Sequence, residues 1–114
     1  MTGIEALADW IQRTGDRRHM TNEWLYASDM KVYVRRGFRP CGICLDVAAV
    51  EVYDKGKGTF TKFLEAAHEM NPWDVMFCEC VQNARLVPFL EKKGYRRYGE
   101  DDDPAPSLYL KKGP

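Results

Sequence analysis

Apolar residues recur along this chain with two different periods. Ile4, Leu7, Ala8 and Ile11 fall at helical spacing, with Glu5, Asp9, Gln12 and Arg13 between them. That pattern predicts a first helix that Thr2 caps and Gly15 ends. Residues 16–19 read as a polar turn, and Thr21-Asn22-Glu23 predicts a second, short helix running through Trp24, Leu25 and Tyr26. The period then changes. Met30, Val32 and Val34 alternate with Lys31, Tyr33 and Arg35, the pattern of a half-buried strand, and Arg36-Gly37 reads as its closing turn. Residues 43–53 form a near-continuous apolar run, which predicts a strand covered on both faces. The run is long for one strand, so a bulge is expected in it.

Asp54-Lys55-Gly56-Lys57-Gly58-Thr59 breaks that strand, and Phe60, Phe63, Leu64 and Ala67 then mark an amphipathic helix that Asn71-Pro72 stops. Residues 75–81 read as a second buried strand. Residues 83–93 read as a helix closed by Gly94, residues 95–98 and 107–112 as strands, and residues 100–106 as an acidic loop. A strand, loop, helix and strand in that order require a right-handed crossover and a parallel strand pair. The expected class is α+β, close to α/β, with a mixed sheet.

Composition bounds this picture without adding chemistry. The chain has 114 residues, enough for one domain over 1–114 with its own core. Seventeen basic side chains balance seventeen acidic ones, so no global field draws nucleic acid, and none is expected as a partner. Glu5 and Asp9 near the start, and the absence of a long apolar run, argue against a secretory signal or a membrane span. A cytoplasmic location and reduced cysteines are expected.

The glycine loop at residues 54–59 is the first candidate for chemistry. Glycines let a backbone wrap an anion, a helix N-terminus offers unpaired N–H groups, and Lys55 and Lys57 add charge, which suits a phosphate or pyrophosphate. The same residues also suit a plain solvated turn. The loop lacks the Gly-Lys-Ser/Thr ending of a Walker loop, and the third glycine of a dinucleotide fingerprint.

Downstream stands Asn83-Ala84-Arg85-Leu86-Val87-Pro88-Phe89-Leu90-Glu91-Lys92-Lys93-Gly94-Tyr95. Together with Lys55-Gly56-Lys57-Gly58-Thr59-Phe60, this stretch resembles the GNAT superfamily of acyl-CoA-dependent N-acetyltransferases. There a strand enters an Arg/Gln-x-x-Gly-x-Gly/Ala loop, and a later helix ends in a Tyr-Glu-Lys-x-Gly-Phe-like phrase. The resemblance covers residues 43–98, and the short chain looks like bacteriophage-encoded members.

The resemblance implies a mostly antiparallel mixed sheet with a splayed parallel pair, flanked by helices. It implies acetyl-CoA as cosubstrate and an amine, on a small molecule or a protein, as acceptor. Backbone amides of Lys55, Gly56, Lys57, Gly58 and Thr59 would hold the pyrophosphate. The pantetheine arm would lie beside the strand that includes Val50 and Val52. A backbone N–H near Val50 would polarise the carbonyl, and Asn83 would contact the arm. The amine would attack directly, with a base removing its proton. Leu90 stands where many members carry the Tyr that protonates the departing thiolate, so Tyr95 and Tyr98 become the substitute acids. The alternative reading is a GNAT-fold protein that binds without catalysing.

For the base, Glu79 leads, with Asp46 and Glu51 behind it, since a carboxylate in so apolar a strand needs a partner or a wet cleft. Cys41-x-x-Cys44 and Cys78-x-Cys80 supply four sulfurs, the number a structural zinc takes. Cys-x-Cys along one strand is poor tetrahedral geometry, and small apolar packing explains it better, so no metal is expected. His19 and His68 are isolated. Trp10, Trp24 and Trp73 read as core or rim anchors. Arg17-Arg18, Arg35-Arg36-Arg39 and Arg96-Arg97 read as scattered solvated charge rather than as a basic patch for the adenosine 3′-phosphate or a nucleic acid.

Overall fold

A computed structural model of the chain describes residues 1–14, 21–54, 56–79, 86–99 and 105–112. The described elements run α1 (Gly3–Thr14), β1 (Asn22–Tyr26), β2 (Met30–Arg39), β3 (Gly42–Val52), α2 (Thr59–Met70), β4 (Val75–Cys78), α3 (Leu86–Lys92), β5 (Arg96–Tyr98) and β6 (Ser107–Lys111). The strands form one six-stranded sheet in the order β1-β2-β3-β4-β6-β5. Only β3 and β4 are parallel; every other pair is antiparallel. The fold is therefore α+β with a mixed sheet and one parallel pair, joined through α2.

Helix α1 begins with a reciprocal capping box. The Glu5 N–H donates to Thr2 Oγ1 at 3.2 Å, and the Thr2 N–H donates to Glu5 Oε1 at 2.9 Å. The expected stop at Gly15 lies outside the described residues. Helix α2 ends where Asn71 was expected to end it, with the Asn71 N–H donating to the Ala67 carbonyl. The described part of α3 runs from Leu86 to Lys92 and includes Pro88. The expected residues 83–85 of that helix, and residues 80–81 of the strand before it, lie outside the described part.

Three expectations fail for physical reasons. Residues 22–26 are a strand rather than a helix, because pairing with β2 turns Leu25 inward opposite Val32 and Trp24 outward against Tyr33. Tertiary pairing overrides the local start signal at Thr21. There is also no turn at Arg36-Gly37: β2 runs on to Arg39, and its last pair with β3 is Arg39 opposite Gly42. Gly37 serves close packing instead, since a Cβ there would lie 2.9 Å from the Arg39 guanidinium. Finally, β3 is not covered along its whole length. Cys44–Val47 is buried on both faces, but Ala49, Val50 and Glu51 are exposed, because β4 pairs with β3 only as far as Val47. The expected bulge is in β3: Tyr33 pairs with Ala49 and Val34 with Val47, which leaves Ala48 as the extra residue.

All three helices cover one face of the sheet. Leu7 and Trp10 of α1, Phe63 and Ala67 of α2 and Leu90 of α3 pack with Val32, Leu45 and Met76. Trp10 meets Trp73 edge-on at 5.9 Å. The opposite face holds a separate cluster of Cys44, Val75 and Phe77 with Cys41, Tyr98 and Tyr109, to which no described helix residue contributes. Among the described residues, no helix is long and apolar enough to cross a membrane.

Candidate functional site: a cleft where two parallel strands part

Strands β3 and β4 stay paired from Cys44 and Val75 to Val47 and Cys78, and the Glu79 N–H makes one further bond to the Val47 carbonyl at 3.1 Å. Beyond that fork β3 continues for five residues with no described strand on its β4 side. A cleft of about 720 Å³ opens there. Its walls are β3 from Val47 to Val52, the start of α2, and Cys78, Glu79, Leu86 and Leu90. A strand edge of this kind presents main-chain donors and acceptors to whatever fills the cleft. The exposed apolar side of β3, which looks wasteful in the sequence, is one wall of this site.

The far end of the cleft is the start of α2. Gly58 caps it in the left-handed conformation, φ 70°, and no side chain bonds the cap. No acidic residue stands in the first turn. The first amides of a 12-residue helix therefore point outward with its positive dipole end. A Cβ on Gly56 or Gly58 would meet nothing within 4 Å, so the loop backbone borders open space. The arrangement can hold an anion.

Of the residues singled out in the sequence, Val50, Val52, Gly56, Gly58, Thr59 and Glu79 line the cleft. Lys57 does not: its ammonium pairs with Asp54 at 2.9 Å, and Asp54 is the one of the two that lines the cleft. Lys55 and Asn83 lie outside the described residues. Tyr95 is buried in the helical core, away from the cleft, beside a smaller hollow of about 170 Å³ between α2 and α3. Burial pushes its hydroxyl well above the ordinary tyrosine range. Tyr98 lies on the opposite face of the sheet, edge-on to Phe77. Leu90 lines both hollows.

The sequence did not reveal the charge network behind the fork. Asp46, fully buried, accepts through Oδ2 from Arg35 Nε at 2.9 Å and from Arg39 Nη2 at 3.0 Å. Glu79 Oε1 accepts from Arg39 Nη2 at 2.7 Å and also from Arg35. The Arg39 guanidinium lies 3.7 Å from the centre of the Phe77 ring. Two carboxylates and two guanidiniums thus close a neutral cluster on the helix-free face, the one that no described helix covers. Burial pushes the Asp46 carboxyl above its ordinary value, while the Arg35 hydrogen bond pulls it back. Alternation in β2 and β3 was the available signal, since it puts Arg35, Arg39 and Asp46 on one face. Their partner on β4 depended on the crossover.

Cys78 also went unassigned to the site. It stands beside Glu79 at the fork, and burial, aided by the Asp46 charge, pushes its thiol to about 12. Burial therefore favours the neutral thiol over the thiolate at physiological pH. Cys41 and Cys44 are free thiols as well, and no group of three or more metal-ligating side chains occurs among the described residues.

The Cys78 shift has a consequence for stability. Its folded pKa is raised, so the stability it confers is complete below the unfolded value near 9 and is lost as pH rises from 9 toward about 12. Tyr95 acts in the same direction at higher pH. Raising the pH to about 10.5 is expected to remove about 2 kcal/mol through Cys78 alone. Urea unfolding of wild type and Cys78→Ala across that range checks this. An equal alkaline loss in both proteins would place the sensitivity elsewhere.

No protein-family model matches the chain, and no curated protein matches it in a sequence search.

Proposed function

We propose that the chain is an N-acetyltransferase of the GNAT kind, which moves an acetyl group from acetyl-CoA to an amine. The observation that carries this reading is the cleft at the fork of the one parallel strand pair, ending on an uncapped helix N-terminus. The cleft has the form that a long, flexible, anionic thioester requires. Amides at residues 56–59 take the pyrophosphate, and the edge of β3 from Ala49 to Val52 lies along the pantetheine arm. A backbone N–H near Val50 polarises the acetyl carbonyl.

The amine nitrogen bonds to the carbonyl carbon, the C–S bond breaks, and the electron pair leaves on sulfur as CoA thiolate. The nitrogen's proton passes to Glu79 or to water beside it. Glu79 is among the residues lining the cleft, and its carboxylate is held by Arg35 and Arg39. Burial holds the Cys78 thiol neutral, which favours direct attack over an acetyl-enzyme. Leu90 offers no proton, so the thiolate takes one from solvent.

The second reading, a protein that binds acetyl-CoA without transferring, rests on Leu90 and on the absence of any Tyr among the described residues lining the cleft. Calorimetry with acetyl-CoA, followed by CoA release assays on a panel of amines, separates the two readings. Gly58 tests the site itself. Gly58→Asn keeps a residue that tolerates φ of 70° and adds no charge, whereas Gly58→Asp adds a negative charge in the same place. The Asp variant is expected to bind CoA at least ~tenfold more weakly than the Asn variant, about 1.4 kcal/mol. Equal affinities would remove the pyrophosphate from this loop.

A further inference from the structure

The acetyl-transfer reading leaves Cys41-Gly42-Ile43-Cys44 unused, although the fold brings both sulfurs to one place. The last pair of the β2–β3 ladder is Arg39 with Gly42, so Pro40 and Cys41 form a two-residue turn. Cys44 follows on the helix-free face, fully buried. Cys41, half-buried, packs against the cluster that Cys44 forms with Val75 and Phe77. Across the ladder from Cys44 stands Gly37, which has no side chain to separate the sulfurs from the Arg39 guanidinium above it. The Cys44 thiol donates to the Gly42 carbonyl at 3.4 Å, which folds it back toward the turn. One thiol is thus reachable from solvent, and the other lies directly behind it.

We propose that Cys41 and Cys44 are a reversible dithiol–disulfide pair built into the β2–β3 hairpin. Cys41 is the entry thiol. Its thiolate attacks a small-molecule disulfide such as oxidised glutathione; that S–S bond breaks, and one glutathione thiolate leaves. The Cys44 thiolate then attacks the Cys41 sulfur of the mixed disulfide and expels the second glutathione. Two protein thiols are oxidised and one glutathione disulfide is reduced to two thiols. The Arg39 guanidinium beside Cys44 favours its thiolate, whereas burial and the neighbouring Cys41 hold the Cys44 thiol up at about 11. The second step is therefore the slow one at neutral pH and quickens as pH rises. The proposal does not depend on acetyl-CoA binding.

The test uses the full chain in glutathione redox buffers, with acid quenching, alkylation, trypsin and mass spectrometry. Cys41 and Cys44 fall in the peptide spanning residues 37–55, and Cys78 and Cys80 in that spanning 63–85. The expected result is loss of two hydrogens from 37–55 while 63–85 stays fully alkylated. The effective thiol concentration of the pair should exceed that of the urea-unfolded chain at least tenfold. Cys44→Ser should stop at the glutathione adduct on Cys41. Cys41→Ser, at the more exposed position, should yield no disulfide within 37–55. Three results would each overturn the proposal. One is a wild-type endpoint of glutathionylated Cys41 with alkylated Cys44. Another is a disulfide that links the two peptides. The third is an effective concentration no higher than in urea.

Discussion

Replacing Asp46 by Asn is expected to cost about 3 kcal/mol of folding free energy. Asp46 is fully buried, and a single oxygen, Oδ2, receives both Arg35 and Arg39. The Asn variant keeps the shape and an accepting oxygen but removes the charge, so Glu79 is the one carboxylate left in the cluster to balance two guanidiniums. Breaking a fully buried ion pair typically costs about 3–5 kcal/mol. The lower end applies here because the Arg35 side chain is 34% exposed and water compensates part of the loss. Arg39, stacked on Phe77, has less access to water and carries most of the penalty. Urea unfolding of wild type and variant at pH 7 measures the difference, with an unchanged slope as the sign that the fold is retained. A change under about 0.5 kcal/mol would mean that solvent already screens the cluster.

Leu90→Tyr is expected to raise single-turnover acetyl transfer by about 10²-fold, the low end of what a positioned general acid supplies. Leu90 borders the cleft on one side and the small hollow between α2 and α3 on the other, so a larger ring has space to enter either. Its side chain is only 1% exposed, and overpacking is expected to lower stability by about 1–2 kcal/mol. Leu90→Phe carries the same ring without the hydroxyl, so the ratio of Tyr to Phe isolates the proton. The measurement is CoA release after rapid mixing with a panel of amines. A Tyr variant no faster than Phe, with the fold intact, would show that the ring does not reach the departing sulfur. Tight binding with no transfer in any of the three proteins would favour the non-catalytic reading.

Much of the local structure was legible because short-range physics decides it. The Thr2 cap, the helix that Asn71 ends and the strand run with its bulge depend on neighbours a few residues apart. The glycine loop at a helix start was legible for the same reason, whereas the left-handed cap at Gly58 came from the structure. Residues 22–26 were misread because their fate depends on β2. Gly37 was misread because its role is a close approach by Arg39, a residue two positions on and on the same face of the strand.

By itself, then, the sequence determined the order of the main elements, the parallel pair and a glycine loop at a helix start. Periodicity, caps and the handedness of a crossover act along the chain and can be read there. Only the tertiary structure decided where β4 ends relative to β3, and so that the apolar stretch after Ala48 lines a cleft instead of a core. It also decided that Tyr95 is sealed among the helices, and that Asp46 and Glu79 share two arginines. These outcomes depend on the register between segments far apart in the chain. Register is set by how whole faces pack, and no local pattern encodes it.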